Sequence, residues 1–144
     1  MTADIRALPA HLLATVRGEF AEDAACDIIT RIMEAAHNQP TPNILIDVRA
    51  VAGDPTLRQR FAVVAHTLQL RINSMLRGRP ARYRTAIVGQ PPLVHPGGYG
   101  ARLLNEHSLK VTICDTLEGA YAWLGIDQDV AAPQPAESRS EVSA

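Results

Sequence analysis

The sequence predicts an α/β protein, a single mixed β-sheet of about four or five strands with about four helices. Candidate strands alternate with amphipathic helices along most of the chain, which is typical of this class and makes the later strands parallel. One continuous β-branched run predicts a central strand that is covered on both faces. The 144 residues, 47% hydrophobic and 20% charged, are enough to bury a core without disulfides or a structural metal.

The first half of the chain is predicted to form two strands, a helix and a third strand. We expect short strands at 4–8 and 11–17, joined by a proline turn, with Gly18 ending the second. Carboxylates at the start of the following helix are stabilised by the positive end of the helix dipole. Pro40 cannot continue that helix, so we expect it to end before this residue. The β-branched run at 43–48 is the predicted central strand.

The second half of the chain alternates helices and strands. A long helix is expected from about Thr56 to Leu76, followed by a strand at 84–88, a short helix at roughly 99–107 and a strand at 110–114. Thr116 is placed to cap a final helix. Residues 1–127 are therefore expected to form one domain.

Two of these helices carry apolar residues that we expect to pack on the sheet. The long helix has an apolar stripe at steps of three and four, and the last helix presents Trp123 and Leu124 on its buried side. The stripe consists of Leu57, Phe61, Val64, Leu68, Ile72 and Met75.

The ends of the chain carry no expected targeting or spanning element. The N-terminus does not read as a signal peptide, no run is long enough to cross a membrane, and we expect a cytoplasmic protein. Residues 128–144 contain no Leu, Ile, Phe, Trp or Tyr, so we expect a disordered C-terminal tail there.

The charge is unevenly distributed. The window 49–102 holds nine arginines and one acid, Asp54, although the whole chain has a net charge of −1. Such a window can attract phosphates or an acidic partner, while thirteen arginines to one lysine also fit a coding preference. Aromatic residues are only 4%, so we expect no nucleic-acid partner.

Several motifs, in order, resemble one known superfamily. A glycine-ended strand and an acid-started helix are followed by LIDVR at 45–49, TAIVG at 85–89 and LEGAYAWL at 117–124. Over residues 5–125 the chain is similar to the SpoIIAA-like branch of the STAS (sulphate transporter and anti-sigma factor antagonist) superfamily. The resemblance implies a small α/β regulatory or ligand-binding domain without enzymatic activity.

The resemblance also implies a phosphorylation site. Signalling members carry a phosphorylated Ser or Thr at the start of the long helix, and that position falls on Pro55, with Thr56 beside it. Thr56 is read as a helix cap or as a phosphosite whose charge the helix N-terminus and Arg58 would stabilise.

Polar residues follow the strands of the predicted sheet. In open α/β sheets the carboxyl ends of the strands form the ligand crevice. We therefore expect a protein partner or a small anionic ligand at the rim formed by loops 49–56 and 89–100, although these side chains could instead bond to each other. The candidate binding residues are Asp47, Arg49, Asp54, Thr56, Arg58, Gln90 and His95.

Catalytic and metal-binding patterns are weak. Neither HxxxH nor HExxH occurs, and Ser74, Cys26 and Cys114 lie in apolar contexts, so we expect no enzyme, metal or cofactor. The alternative function is a carrier of an apolar or lipid-like ligand (SEC14-like), in which the stripe lines a cavity and arginines meet a phosphate head group. A homodimer is left open.

Overall fold

Five strands and four helices follow one another along the described part of the chain. The computed structural model describes residues 1–39, 41–79, 82–95, 98–107 and 109–127. The elements are β1 (Thr2–Ala7), β2 (Leu12–Glu19), α1 (Glu22–His37), β3 (Asn43–Ala52), α2 (Leu57–Leu76), β4 (Arg84–Val88), α3 (Tyr99–Glu106), β5 (Lys110–Cys114) and α4 (Leu117–Leu124). The expected tail, 128–144, lies outside the described residues.

The strands form one mixed sheet in the order β1-β2-β3-β4-β5. β1 runs antiparallel to β2, and every other pair is parallel. β3 is central and has parallel partners on both sides, so the predicted fold class and the predicted central strand are confirmed.

The helices cover the two faces of the sheet unequally. Ile44 of β3 packs in one cluster with Ile28 and Ile32 of α1, whereas the next residue, Leu45, packs with Tyr121 and Leu124 of α4. Successive parallel strands lie side by side, so their right-handed crossovers place α1, α2 and α3 on the same face. Of the helices within the described ranges, α4, which follows the last strand, packs on the opposite face.

The bounds of the first three strands differ from the sequence expectation. β1 spans Thr2–Ala7 rather than 4–8. β3 continues to Ala52, and β2 passes through Gly18, which pairs with Val51. Gly18 has a φ of 108°, a conformation that glycine adopts without steric cost, so it continues the strand that it was expected to stop. Backbone pairing beyond residue 48, rather than an apolar pattern, extends both strands.

The expectation that the α2 stripe packs on the sheet is wrong for most of its members. Leu57, Phe61, Ile72 and Met75 are exposed, and the only buried residue of α2 is Ser74. α2 is held instead by its neighbouring helices on the same face. The His66 ring nitrogen lies 2.8 Å from the Thr30 hydroxyl of α1, and the half-buried Val64 and Leu68 pack against the cluster formed by α3 and β5.

Trp123 and Leu124 both pack on the sheet side of α4 as expected, but Leu124 is buried whereas Trp123 is only half-buried. The guanidinium of Arg84 lies 4.5 Å from the centre of the Trp123 ring and donates a hydrogen bond to the Trp123 carbonyl. This cation–π contact covers the ring with a charged group that must itself remain near water. Tyr121 takes the buried position instead.

The imidazole ring of His11, just before β2, is buried and has no hydrogen-bond partner among the described residues. Its side chain is 0% exposed, and neither ring nitrogen is bonded within the described residues. The ring meets Tyr121 of α4 edge to face, with 5.6 Å between centroids. Burial penalises the imidazolium, so the pKa of His11 lies below its ordinary value of 6.5.

This burial predicts a stability that declines in mild acid. As the pH falls through 6.5 the unfolded chain binds a proton that folded His11 resists, so the free energy of unfolding falls until the pH passes the folded-state pKa. His11→Leu removes the titrating group and should flatten this decline. Urea denaturation of both proteins between about pH 7.5 and 5 measures the difference; parallel curves would contradict the assignment to His11.

Candidate ligand-binding site

A large apolar cavity lies between the sheet and the helices α1, α2 and α3. Its volume is about 560 Å³, which is within the range of small-molecule sites. β3 contributes Ile44, Ile46 and Val48 to its wall, and α2 contributes Phe61 and Val64. The cavity occupies the space that α2 would fill if its stripe packed on the sheet.

The cavity opens beside the first turns of α2. Leu57, Phe61 and His95 all line it and are all exposed to solvent. The opening therefore lies between the start of α2 and the loop that precedes α3. His95, a residue expected at the polar rim, thus borders an apolar cavity.

Arg60 clamps the loops next to this opening. Its Nε donates to the Pro55 carbonyl at 3.1 Å, Nη1 donates to the Leu93 carbonyl at 2.6 Å, and Nη2 donates to the Pro92 carbonyl at 2.6 Å and to the Asp54 carboxylate at 3.3 Å. Each nitrogen of the guanidinium is thus engaged by the protein. Arg60 fixes the shape of the opening rather than offering a free charge to a ligand.

The rest of the described lining offers little to a charged ligand. Arg60 is its only lysine or arginine, and it contains no carboxylate. Thr67 donates its hydroxyl to the Val63 carbonyl at 2.9 Å, and the Tyr83 hydroxyl lies 3.0 Å from Nδ1 of His37. An occupant would therefore be held by apolar burial and shape.

Asp47 and Arg49 lie within β3, rather than at its carboxyl end as expected, and bind each other. Arg49 donates from Nε and Nη2 to the two carboxylate oxygens at 2.9 and 2.8 Å, and from its backbone N–H at 3.1 Å. Partial burial alone would raise the pKa of Asp47, but the bonds from Arg49 outweigh it and hold that pKa below its ordinary value.

A second, smaller cleft lies at the rim between the β3–α2 and β4–α3 loops. It has a volume of about 250 Å³ and is lined by Arg49, Gly53 and Gln90 among others. Gln90 donates its side-chain N–H to the Asp115 carbonyl at 3.3 Å. Of the seven predicted site residues, the structure thus brings Arg49 and Gln90 to one cleft, with Asp47 bonded to Arg49.

The remaining predicted residues are placed elsewhere. Asp54 pairs with Arg60, and Arg58 reaches Glu22 of α1 at 3.9 Å with its side chain largely exposed. Thr56 is the N-cap of α2 and forms a capping box, in which its hydroxyl accepts from the Gln59 N–H at 3.1 Å and the Gln59 side chain accepts from the Thr56 N–H at 2.8 Å.

Loss of this cap has an expected effect on stability. Thr56→Ala removes the acceptor for the Gln59 N–H, so we expect the free energy of unfolding to fall by about 1 kcal/mol. Thr56→Ser keeps the acceptor oxygen and serves as the control, with a smaller loss. Urea denaturation compares the three proteins, and equal losses in both variants would mean that the hydroxyl is not the stabilising group.

A polar cluster that the sequence did not predict lies at the C-terminal ends of α1 and α2. The Ser74 hydroxyl lies 3.4 Å from Nε2 of His37, whose other ring nitrogen meets Tyr83. Ser74 is buried and donates its proton to the Arg79 carbonyl at 2.5 Å, so His37 is not positioned to accept that proton. The cluster joins the ends of α1 and α2 to the start of β4. The residues are far apart in sequence, which left no local signal for it.

Within the described ranges, no group of three or more His, Cys, Asp or Glu side chains is arranged to hold a metal ion. In the same part of the chain, no helix combines the length and the hydrophobicity that crossing a membrane requires.

Known structures share the arrangement of strands and helices. The chain superposes on an anti-sigma factor antagonist from Mycobacterium paratuberculosis with a TM-score of 0.51 and 15% identity, covering 86% of this chain and 93% of that one. An uncharacterised protein with a SpoIIAA-like fold from Shewanella loihica PV-4 gives a TM-score of 0.48 and 19% identity, with 85% and 92% covered. The anti-sigma factor antagonist SpoIIAA in its unphosphorylated form gives 0.46 and 11%, with 88% and 99% covered.

The sequence matches no protein-family model and no curated protein. The mixed five-stranded sheet with four helices is nevertheless shared with the Mycobacterium antagonist over nearly the whole described domain. The chain therefore has the SpoIIAA-like α/β fold that its sequence motifs implied.

Proposed function

We propose that this chain is a non-enzymatic binding domain that holds a small apolar molecule in the cavity beneath α2. The observation that carries the proposal is the cavity itself, about 560 Å³ of apolar space with an opening to solvent. Protein interiors are normally packed densely, and a void of this size forfeits the contacts that its walls could make. A bound molecule would supply those contacts.

The contacts at the opening define the ligand class. The arginine that borders the cavity is bonded to Asp54, Pro55, Pro92 and Leu93, so four of its five N–H groups are already engaged by the protein and its charge is partly offset by the Asp54 carboxylate. This disfavours the head-group contact expected for a phospholipid carrier. The ligand we propose is an uncharged apolar molecule, recognised by the area that it buries.

A neutral fluorescent dye tests the proposal directly. Nile red should bind to the purified protein with increased emission, and Val64→Trp, which fills the cavity from α2, should abolish that increase. Gln69→Trp adds the same side chain to an exposed position on the same helix, outside the cavity lining, and should bind the dye as the wild type does. Thermal midpoints of both variants establish that each is folded.

Native mass spectrometry supplies the complementary result. Protein purified without detergent should carry a stoichiometric apolar adduct, or take one up when a neutral lipid is added. A clean apo mass that does not change on addition, together with equal Nile red emission in Val64→Trp and Gln69→Trp, would contradict the proposal.

A second candidate function is recognition of a protein partner or a small anion at the rim. The fold shared with the Mycobacterium anti-sigma factor antagonist supports a regulatory role, and Arg49 and Gln90 contribute polar groups to the smaller cleft. In this function Thr56 would be the regulated residue if its capping hydroxyl became phosphorylated. Phosphopeptide mapping of protein from its native cells tests that modification.

Titration of labelled protein with inorganic phosphate or an acidic peptide tests the rim. Amide shifts at Arg49 and Gln90 that disappear in Arg49→Gln, and persist in the exposed control Arg102→Gln, would support the second function. Unchanged spectra would remove the support that the cleft gives it.

A further inference from the structure

Among the described residues, the C-terminal end of α2 carries three large apolar side chains that are about half exposed or more. Ile72 is 49% exposed, Met75 56% and Leu76 82%. They stand at i, i+3 and i+4, so they project from the same side of the last turns. We call these three residues the apolar end of α2.

Arginines follow the apolar end immediately. Arg77 caps the helix, and Arg79 and Arg82 lie in the connection to β4. All three are exposed, and within the described residues none of them forms an ion pair. Residues 71–84 contain five arginines and no aspartate or glutamate, so no acid of this segment offsets their charge.

We propose that the apolar end of α2 and these arginines dock the protein on an anionic phospholipid bilayer. Ile72, Met75 and Leu76 would insert at the boundary between head groups and acyl chains, where apolar side chains leave water without needing a shaped pocket. The arginine side chains would lie at the level of the lipid phosphates, and each cation near such a surface adds about 1 kcal/mol of attraction.

The same two features together distinguish a lipid surface from a small anion. A phosphate ion would be satisfied by the arginines alone and would leave Leu76 in water, whereas a bilayer accommodates both. Docking is peripheral in this geometry, since α2 remains a helix of the folded domain and only its last turns reach the membrane.

The docking end is distant from the ligand opening. α2 has 20 residues and is therefore about 30 Å long, with Leu57 at the opening and Leu76 at the other end. A membrane at the apolar end leaves the opening clear. The docking proposal therefore goes beyond the cavity proposal and does not depend on it.

Vesicle flotation with the full chain tests the docking. We expect the protein to float with vesicles of phosphatidylcholine and phosphatidylglycerol at low salt, and not with phosphatidylcholine alone. Raising the salt concentration should release it, because screening weakens the attraction to anionic lipid.

Matched variants at the two ends of α2 locate the surface. Leu76→Ser should lower the vesicle-bound fraction about tenfold, because it removes an apolar side chain that the bilayer would bury. Arg77→Gln should lower it about fivefold, because it removes one cation. Leu57→Ser and Arg58→Gln make the same changes at the start of the helix, where the side chains are comparably exposed, and should float as the wild type does. Thermal midpoints confirm that all four variants are folded.

The outcomes separate clearly. Anionic-selective flotation that is lost at the C-terminal end only would support the proposal. Failure of the wild type to float with anionic vesicles would overturn it, as would equal losses at both ends of α2. Binding of an acidic protein to the apolar end of α2 and its arginines, without binding to vesicles, would also overturn the proposal, in favour of a protein partner. None of these results changes the Nile red test of the cavity.

Discussion

Leu45→Ala is expected to lower the free energy of unfolding by about 2–5 kcal/mol, a large part of the stability of a small domain. Leu45 of β3 is 0% exposed and packs against Tyr121 and Leu124 of α4. Alanine would leave a void in the densely packed face of the sheet, and urea denaturation measures the loss.

The adjacent residue provides the control. Ile46 faces the apolar cavity on the other side of the same strand, so its side chain is already incompletely packed. We expect Ile46→Ala to cost less than Leu45→Ala, about 1–2 kcal/mol, because the cavity term is largely present before the substitution. An equal cost for the two would mean that α2 closes onto the sheet in solution and that the cavity is filled by the protein.

Arg60→Met is expected to cost about 2–3 kcal/mol, because it removes charge-assisted hydrogen bonds to three backbone carbonyls from a half-buried site. Those carbonyls belong to Pro55, Pro92 and Leu93, so the substitution also releases the loops at the opening of the cavity from each other. Chemical denaturation gives the loss of stability, and Nile red affinity reports the change in the opening.

Two variants separate the geometry of Arg60 from its charge. Arg60→Lys retains the charge but cannot bond several carbonyls in a fixed fork, so most of the loss should remain. Arg58→Met changes an arginine that is largely exposed and two residues away on the same helix, and should stay within about 0.5 kcal/mol of the wild type. If Arg60→Met behaved like Arg58→Met, the clamp would contribute nothing to stability.

The sequence was sufficient to predict the order of elements because local signals mark them. The β-branched run before residue 48 identifies the central strand, and β4 and β5 were predicted with the bounds that they have. The limits of β2 and β3 were missed because ladder pairing, rather than composition, extends them beyond Gly18 and residue 48.

The cavity, unlike the order of the elements, could not be predicted from the sequence. The stripe of α2 has the periodicity of a packed helix, and periodicity does not record how far a helix stands from a sheet. That distance depends on contacts such as His66 with Thr30, which join residues 36 positions apart. The role of Arg60 left no sequence motif either. Most of its acceptors are backbone carbonyls, which any residue can supply.

The separation of α2 from the sheet has a consequence for how the molecule fluctuates. In the opposite layer Leu45 and Ala120 are fully buried, so we expect its amide protons to exchange mainly through unfolding of the whole domain. α2 buries one residue and is secured by its neighbours and by Arg60, so its amide protons can exchange with solvent through a local opening that leaves the sheet intact. A bulky apolar molecule could then reach the interior through transient detachment of one helix, at a rate that the Arg60 clamp would set.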